Sequence, residues 1–370
     1  MSHGPPRLPA LVDLALVPLV NLLAALFVSG LVVFAVGQNP LEALEVLLTG
    51  AFGYGEAIGY TLYYTTDFIF TGLAVAVAFH AGLFNIGGEG QAYIGSLGVG
   101  LACLAFGGIL PFPAMLIAAI IAGALFGAAW AYVPGWLQAR RGSHVVITTI
   151  MFNFIAAALM TYLMVYVLIR PGQQSPESRA FDPSTYLPTA ADILGAVGLQ
   201  VAASPLNLAF LLALLSAVAV WVFVWHTHLG YEMRVVGHSE RAAVYSGISP
   251  ARHIVLAMSI SGALAGLVGI NEIMGEHHRL LLNFVGGVGF VGIAVALMGR
   301  NHPFGVCLAA LLFGALYQGG SELAFAMPQL SKEMVVVIQG LVILFCGALE
   351  HLFRPHLERL FARPAAEARP

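Results

Sequence analysis

Chemistry in this sequence is gathered into a few short stretches set in apolar surroundings. The densest is Trp225 to His253, W-H-T-H-L-G-Y-E-M-R-V-V-G-H-S-E-R-A-A-V-Y-S-G-I-S-P-A-R-H, where His, Glu and Arg crowd together. Arg234, Glu240, Arg241 and Arg252 are costly in hydrocarbon, so this segment lies in water or against another protein. Ser239 can cap a turn made of Glu240, Arg241, Ala242, Ala243, Val244 and Tyr245, and Gly247 can end it. On these residues alone, a docking helix for a soluble partner and a plain solvated connection stand level.

The second stretch is Gly82-Leu83-Phe84-Asn85-Ile86-Gly87-Gly88-Glu89-Gly90-Gln91. Its glycines interrupt a helix, and Asn85, Glu89 and Gln91 are polar groups that need partners inside a membrane protein. Asn283-Phe284-Val285-Gly286-Gly287-Val288-Gly289-Phe290 is a comparable Gly-broken element. Asp67 is an isolated acid near the middle of an apolar run. Its possible uses are a proton or cation site, a substrate contact, or a hydrogen bond to Thr65, Thr66, Thr71 or a neighbouring helix. Glu272 is the other acid at comparable depth, so ion coupling has little support.

Several chemistries are excluded by what is missing. There is no G-x-x-x-x-G-K-[S/T] phosphate loop, and the single lysine, Lys332, follows Gln329-Leu330-Ser331. No His/Cys cluster has zinc spacing and no G-x-S-x-G elbow occurs, so neither a metal nor a catalytic site is expected. His277-His278 reads as a surface pair. Cys103, Cys307 and Cys346 each sit in an apolar run, as small core residues do. With a net charge of −3 the chain has no basic face for nucleic acid.

The elements that must position these residues are membrane helices. Of the 370 residues 59% are hydrophobic and only 9% charged, with a mean hydropathy of +0.90, against roughly 25% charged in soluble domains. The run Leu11 to Val36 is too long for a signal-peptide core and reads as a retained first helix. Apolar runs give ten candidate spans: 12–36, 57–80, 91–110, 113–137, 145–169, 205–225, 253–275, 286–299, 303–320 and 333–350. The eighth is short and Gly-rich, and reads as broken or re-entrant. Both termini inside would place eleven basic residues in the cytoplasm and four outside, the bias expected of this orientation.

Two segments then face outward. Asn39-Pro40-Leu41-Glu42 has the pattern of a helix start, with a Leu41, Leu44, Leu47, Leu48 stripe before Gly50. The other is the 170–204 loop, long enough to cover the outer opening or meet an external partner. The second to fifth and the seventh to tenth spans form two opposed four-helix sets, each with a Gly-broken element, which points to a pathway between them. Gly123/Gly127 and Gly262/Gly266 read as close-packing positions.

The chain resembles the membrane permeases of ABC importers in the group serving branched-chain amino acids, ribose-type sugars and nucleosides, with the nucleoside and simple-sugar branch nearest. The likeness is carried by Asn39-Pro40-Leu41-Glu42-Ala43, by Thr71 to Phe79 running into Gly82 to Gln91, by Val146-Ile147-Thr148-Thr149-Ile150-Met151-Phe152-Asn153, by Arg234-Val235-Val236-Gly237 with Ala242-Ala243 and Gly247-Ile248, and by Gly289-Phe290-Val291-Gly292-Ile293-Ala294-Val295-Ala296-Leu297-Met298-Gly299-Arg300-Asn301-His302-Pro303. It departs from the family's habit at Val145, where an acid is usual, and at Asp67, where proline is usual.

The resemblance implies an all-α inner-membrane permease of the type II importer fold, one transmembrane domain over 1–370 with both termini cytoplasmic. It would pair with a similar or identical permease in the lipid bilayer. Two cytoplasmic ATPase domains and a periplasmic or lipoprotein binding protein would complete it. ATP would be used by the partner, with no cofactor on this chain. Residues 226–253 become the coupling segment, with Arg234, Gly237, Glu240, Arg241, Ala242, Ala243 and Gly247 facing the ATPase. Asp67, Asn85, Glu89, Gln91, Asn153 and Phe290 become candidates for the substrate pathway, the solute being a nucleoside or simple sugar. The rivals are an ion-coupled carrier, which would work alone, and a passive channel, which would leave the charged helix without purpose.

Overall fold

In the computed structural model the structure describes residues 17–345 apart from 331. Arg7, the basic C-terminal tail, Cys346 and residues 12–16 and 346–350 of the first and last expected spans lie outside the described residues. The described chain is helical and its contacts divide it into two compact units.

The smaller unit holds α1 (Val17–Ala35), most of α2 (Pro40–Phe52), the last part of α13 (Pro303–Ala326) and α14 (Lys332–Ile343). Asn39 Oδ1 accepts the Leu41 N–H at 3.0 Å, and α2 begins at Pro40 as the sequence pattern requires. The apolar stripe splits: Leu47 is buried, whereas Leu41 and Leu48 are exposed. Val33, Ala43, Leu323, Leu330, Val335 and Ile338 form this unit's own core.

The larger unit, residues 52–315, carries the chemistry. It contains α3 (Gly55–His80), α4 (Gly88–Phe106), α5 (Phe112–Arg141), α6 (Val145–Tyr162), the short α7 (Ala190–Ala196), α8 (Ala209–His226), α9 (His228–His238), α10 (Glu240–Tyr245), α11 (Pro250–Gly266) and α12 (Val288–Met298). α6 runs on through a π-helical turn, Leu163–Val167, and α11 through another, Ile270–His277. At the centre, α4, α5 and α11 touch backbone to backbone. A Cβ on Gly95 would lie 2.1 Å from Gly266 Cα, and one on Gly127 would lie 2.1 Å from the Gly262 carbonyl. The Gly123/Gly127 and Gly262/Gly266 pairs are therefore packing positions, as their spacing suggests.

Among the described residues six helices are long and apolar enough to cross a bilayer: Gly55–His80, Phe112–Arg141, Val145–Val167, Ala209–His226, Pro250–His277 and Pro303–Ala326. A seventh arises if Leu23–Ala35 and Pro40–Phe52, bent by 119°, make one span. Of the others in the ten-span expectation, α12 has 11 residues and rises only about 16 Å, short of a hydrocarbon core of about 30 Å. α4 has 19 residues, but Glu89 and Gln91 fall in its first turn and most of it is buried inside the unit. Apolar composition cannot separate a lipid-facing helix from one wrapped in protein.

The 170–204 segment is tied down along its length. Ser178 and Phe181 donate backbone bonds to the carbonyls of Leu280 and His278, and Leu187 donates to Met274. Tyr186 stacks on the His278 ring at 3.6 Å, and Arg279 meets Glu177 at 3.3 Å. Thr189 and Asp192 form a reciprocal cap on α7.

Candidate functional site

The Asn85–Gln91 stretch is where α3 stops and α4 starts. Gly82 takes a left-handed φ of +74° to leave α3. Asn85 Oδ1 then accepts the Gly87 N–H at 2.8 Å and the Gln91 amide at 3.1 Å. Its Nδ2 donates to Gln91 Oε1 at 2.9 Å and to Ser261 Oγ at 2.8 Å. Ser261 Oγ in turn donates a hydrogen bond to the Ala74 carbonyl at 2.6 Å. Asn85 and Gln91 are fully buried, and their hydrogen-bonding groups are occupied by each other and by the fold.

From α6, Asn153 accepts the Gly90 N–H at 2.9 Å and donates to the Ile86 carbonyl at 2.9 Å. Glu89 reaches the start of α12. Its Oε1 accepts the Gly287 N–H and its Oε2 the Gly289 N–H, each at 2.9 Å. Charge-assisted bonds to free N–H groups at a helix start are the favourable place for a carboxylate. The helix starts are pressed together, since a Cβ on Gly289 would lie 2.1 Å from Glu89 N. Beside this junction lies a cavity of about 160 Å³, lined by Glu89, Gly90, Tyr93, Asn153, Ala157, Asn283, Val285 and Gly286. Tyr93 Oη accepts the Asn283 N–H at 2.9 Å, and its ring meets Phe284 edge-on at 5.2 Å.

Of the residues expected along a pathway, the structure brings Glu89 and Asn153 to one cavity and sets Asn85 and Gln91 behind them. Phe290 stands on α12 with 48% of its surface exposed. Asp67 lies elsewhere. It is fully buried, and its Oδ2 accepts from Asn271 Nδ2 at 3.0 Å. Asn271 also donates to the Tyr63 carbonyl and accepts from Asn207. Neighbouring Glu272 accepts from Tyr63 Oη at 2.8 Å and pairs with His277 at 3.2 Å. Thr65, Thr66 and Thr71 turn their hydroxyls to carbonyls of their own helix, four residues back, so the partner of Asp67 comes from the neighbouring chain segment. Tyr93 and Asn271 were not singled out by sequence reasoning, and Asn283 entered it only as the first residue of the second Gly-broken element. The Gly-Gly repeat is what pointed there.

The charged segment forms a second site. Thr227 caps α9 and Ser239 caps α10, each side-chain oxygen accepting an N–H three residues on. Gly247 closes α10 at φ +78°, with Ile248 N–H returning to the Ala243 carbonyl at 2.9 Å. Glu240, Arg241, Ala242, Val244 and Tyr245 are exposed, Tyr245 by 93%. Ala243 is fully buried, because α10 needs a small inward residue to sit on α9 and α11, and so it is not part of the exposed face expected of it. Arg234 is half-buried on α9. Glu232 Oε2 meets the buried His253 Nε2 at 2.9 Å, joining α9 to α11. Gly237 fits against the exit from α3: a Cβ there would lie 2.3 Å from the His80 carbonyl and 2.9 Å from Gly82 N. The segment with the exposed face therefore rests directly on the turn leading into the Asn85–Gln91 stretch.

A buried helix junction with a polar cavity beside it, next to an exposed capped helix, is compatible with a transport subunit. The family described as the permease component of branched-chain amino acid transport systems matches residues 57–347, and the chain belongs to it. It is 37% identical over 341 residues to a guanosine ABC transporter permease of Bacillus subtilis, covering 90% of this chain and 93% of that one. To a glucose ABC transporter permease of Haloferax volcanii it is 35% identical over 360 residues, covering 95% and 92%. To a nucleoside ABC transporter permease of Lactococcus lactis it is 33% identical over 361 residues, covering 95% and 96%. The chain is thus an ABC transporter permease of the nucleoside and sugar branch, which decides against the ion-coupled carrier and the passive channel.

Proposed function

We propose that this chain imports a nucleoside or simple sugar, with ATP hydrolysed on two separate cytoplasmic ATPase domains, as a pair with a second permease that is similar or identical. On this reading α10 faces the cytoplasm and seats in the ATPase through Glu240, Arg241, Ala242 and Tyr245. Both termini are cytoplasmic, and the full subunit has about ten membrane helices in two opposed sets, with α12 re-entrant and not a full span. The α2 segment and the 170–204 loop then face a periplasmic or lipoprotein binding protein, and the solute passes the cavity at Glu89, Tyr93, Asn153 and Asn283. Relatives named for guanosine, nucleosides and glucose support the substrate class. The observation that carries the mechanism is Gly237 pressed on His80 and Gly82: a push on α10 moves α9, and α9 bears on the turn that starts the helix junction.

The test is substrate-stimulated ATP hydrolysis in the assembled complex. Arg241→Glu is expected to leave the subunit inserted and to cut stimulation at least tenfold, because the charge reversal falls on an exposed face and not on the fold. Undiminished stimulation would sink the docking assignment. Cysteines at Glu45 and Gln173 are expected to crosslink to the binding protein from outside. Labelling of both only from the cytoplasm would reverse the topology.

A further inference from the structure

The meeting point of α4 and α12 is where an anion would ordinarily be held, since a helix start offers N–H groups and partial positive charge. Here most of those donors are spent within the fold. At α12 the Gly287 and Gly289 N–H groups both go to Glu89. At α4 the Gly87 N–H goes to Asn85 and the Gly90 N–H to Asn153. The cavity beside the junction consequently offers a carboxylate, an amide and a phenol where it could have offered free N–H groups. From this we infer that Glu89 is a resident anion that makes the cavity selective for uncharged, hydroxyl-rich solutes and against phosphate esters and carboxylates. The inference rests on the proposed passage of solute along this cavity.

The chemistry of the wall fits such a ligand. Each Glu89 oxygen accepts one N–H at 2.9 Å and keeps lone-pair capacity for a hydroxyl. Tyr93 Oη accepts from Asn283 and retains its own proton to donate. The volume of about 160 Å³ is below the roughly 300 Å³ at which drug-sized pockets begin, so it takes one ring with its hydroxyls and not a whole nucleoside at once. Each unit of negative charge brought within about 5 Å of the Glu89 carboxylate, at an effective dielectric of about 20, is disfavoured by more than a hundredfold.

The test uses the full-length chain in lipid nanodiscs, probed with labelled inosine, inosine 5′-monophosphate, D-glucose and inorganic phosphate. The wild type is expected to retain inosine or glucose, with the monophosphate more than about a hundredfold weaker and no phosphate held. Glu89→Gln removes the charge and can accept only one of the N–H groups, so the gap between inosine and its monophosphate is expected to shrink to tenfold or less. Glu89→Ala frees both donors and is expected to gain binding of inorganic phosphate. If the alanine variant does not fold, as thermal melting will report, the near-isosteric glutamine variant decides alone. Wild-type chain that holds inosine and its monophosphate equally overturns the inference, as does a Glu89→Gln variant that rejects the monophosphate as strongly as wild type. Wild-type chain that holds neither inosine nor glucose instead overturns the passage reading on which the inference stands.

Discussion

The breaks before α4 and before α12 share a local pattern, Ile86-Gly87-Gly88 and Val285-Gly286-Gly287, yet they are held by different means. The first keeps an ordinary backbone at Gly87, with φ −79°, and is pinned by the side chains of Asn85, Gln91, Ser261 and Asn153. The second has few polar side chains of its own. It turns through left-handed residues, Asn283 at φ +59°, Gly286 at +58° and Gly287 at +92°, and borrows the Glu89 carboxylate from the first. Where a break carries polar side chains, hydrogen bonds fix it. Where it is glycine and valine, backbone conformation and a distant acid must do so.

The largest expected effect comes from stripping the first break of its side chain. Asn85→Ala leaves the Gly87 N–H, Gln91 and Ser261 short of partners in a fully buried place. At about 1–3 kcal/mol for each unsatisfied group, the folded subunit should be lost or its melting point should fall steeply. A variant that melts like wild type would mean that these bonds do not hold the break.

Glycine exchanges at the twin positions sharpen the contrast. Gly287→Ala forces a side chain into a left-handed conformation with nothing near it, and should cost about 1–2 kcal/mol by strain alone. Gly88→Ala has no left-handed strain; its Cβ meets the Gly289 carbonyl at 3.2 Å, so its cost, up to about 1–3 kcal/mol, is one of packing. A Gly287→Ala variant as stable as wild type in denaturation would erase the distinction between the breaks.

The smallest effect is expected at Asp67, away from both. Asp67→Asn can still accept from Asn271, so uptake by the reconstituted complex should stay within about twofold for every ligand at two pH values. Altered selectivity would restore a substrate contact, and a lost pH dependence would restore a proton site.

Much of the charged segment was legible in the sequence. Ser239 before Glu240 and Gly247 after Tyr245 bound α10 as read, and Asn39-Pro40 begins α2 as read. The glycine pairs of α5 and α11 were legible too. The site was legible only as a set of residue types. Asn85, Glu89, Gln91 and Asn153 are all at the junction, but the sequence could not say that Asn85 and Gln91 are spent on one another while Glu89 crosses to another helix.

The sequence by itself determined what depends on a few neighbouring residues. Capping, helix exits by glycine and the apolar runs that make this a membrane protein act over one or two turns, and its long motif strings place it in its permease family. The tertiary structure alone decided which apolar helices are long enough to span, which face of α10 is outward, and where each buried polar group finds its partner. Glu89 bonds N–H groups about 200 positions away, and Asp67 bonds Asn271 at a separation of 204. Such pairs form because a buried polar group must be satisfied, and packing brings only some candidates within hydrogen-bond reach. That choice is made by the approach of α4 to α12 and of α3 to α11, and no local rule in the chain encodes it.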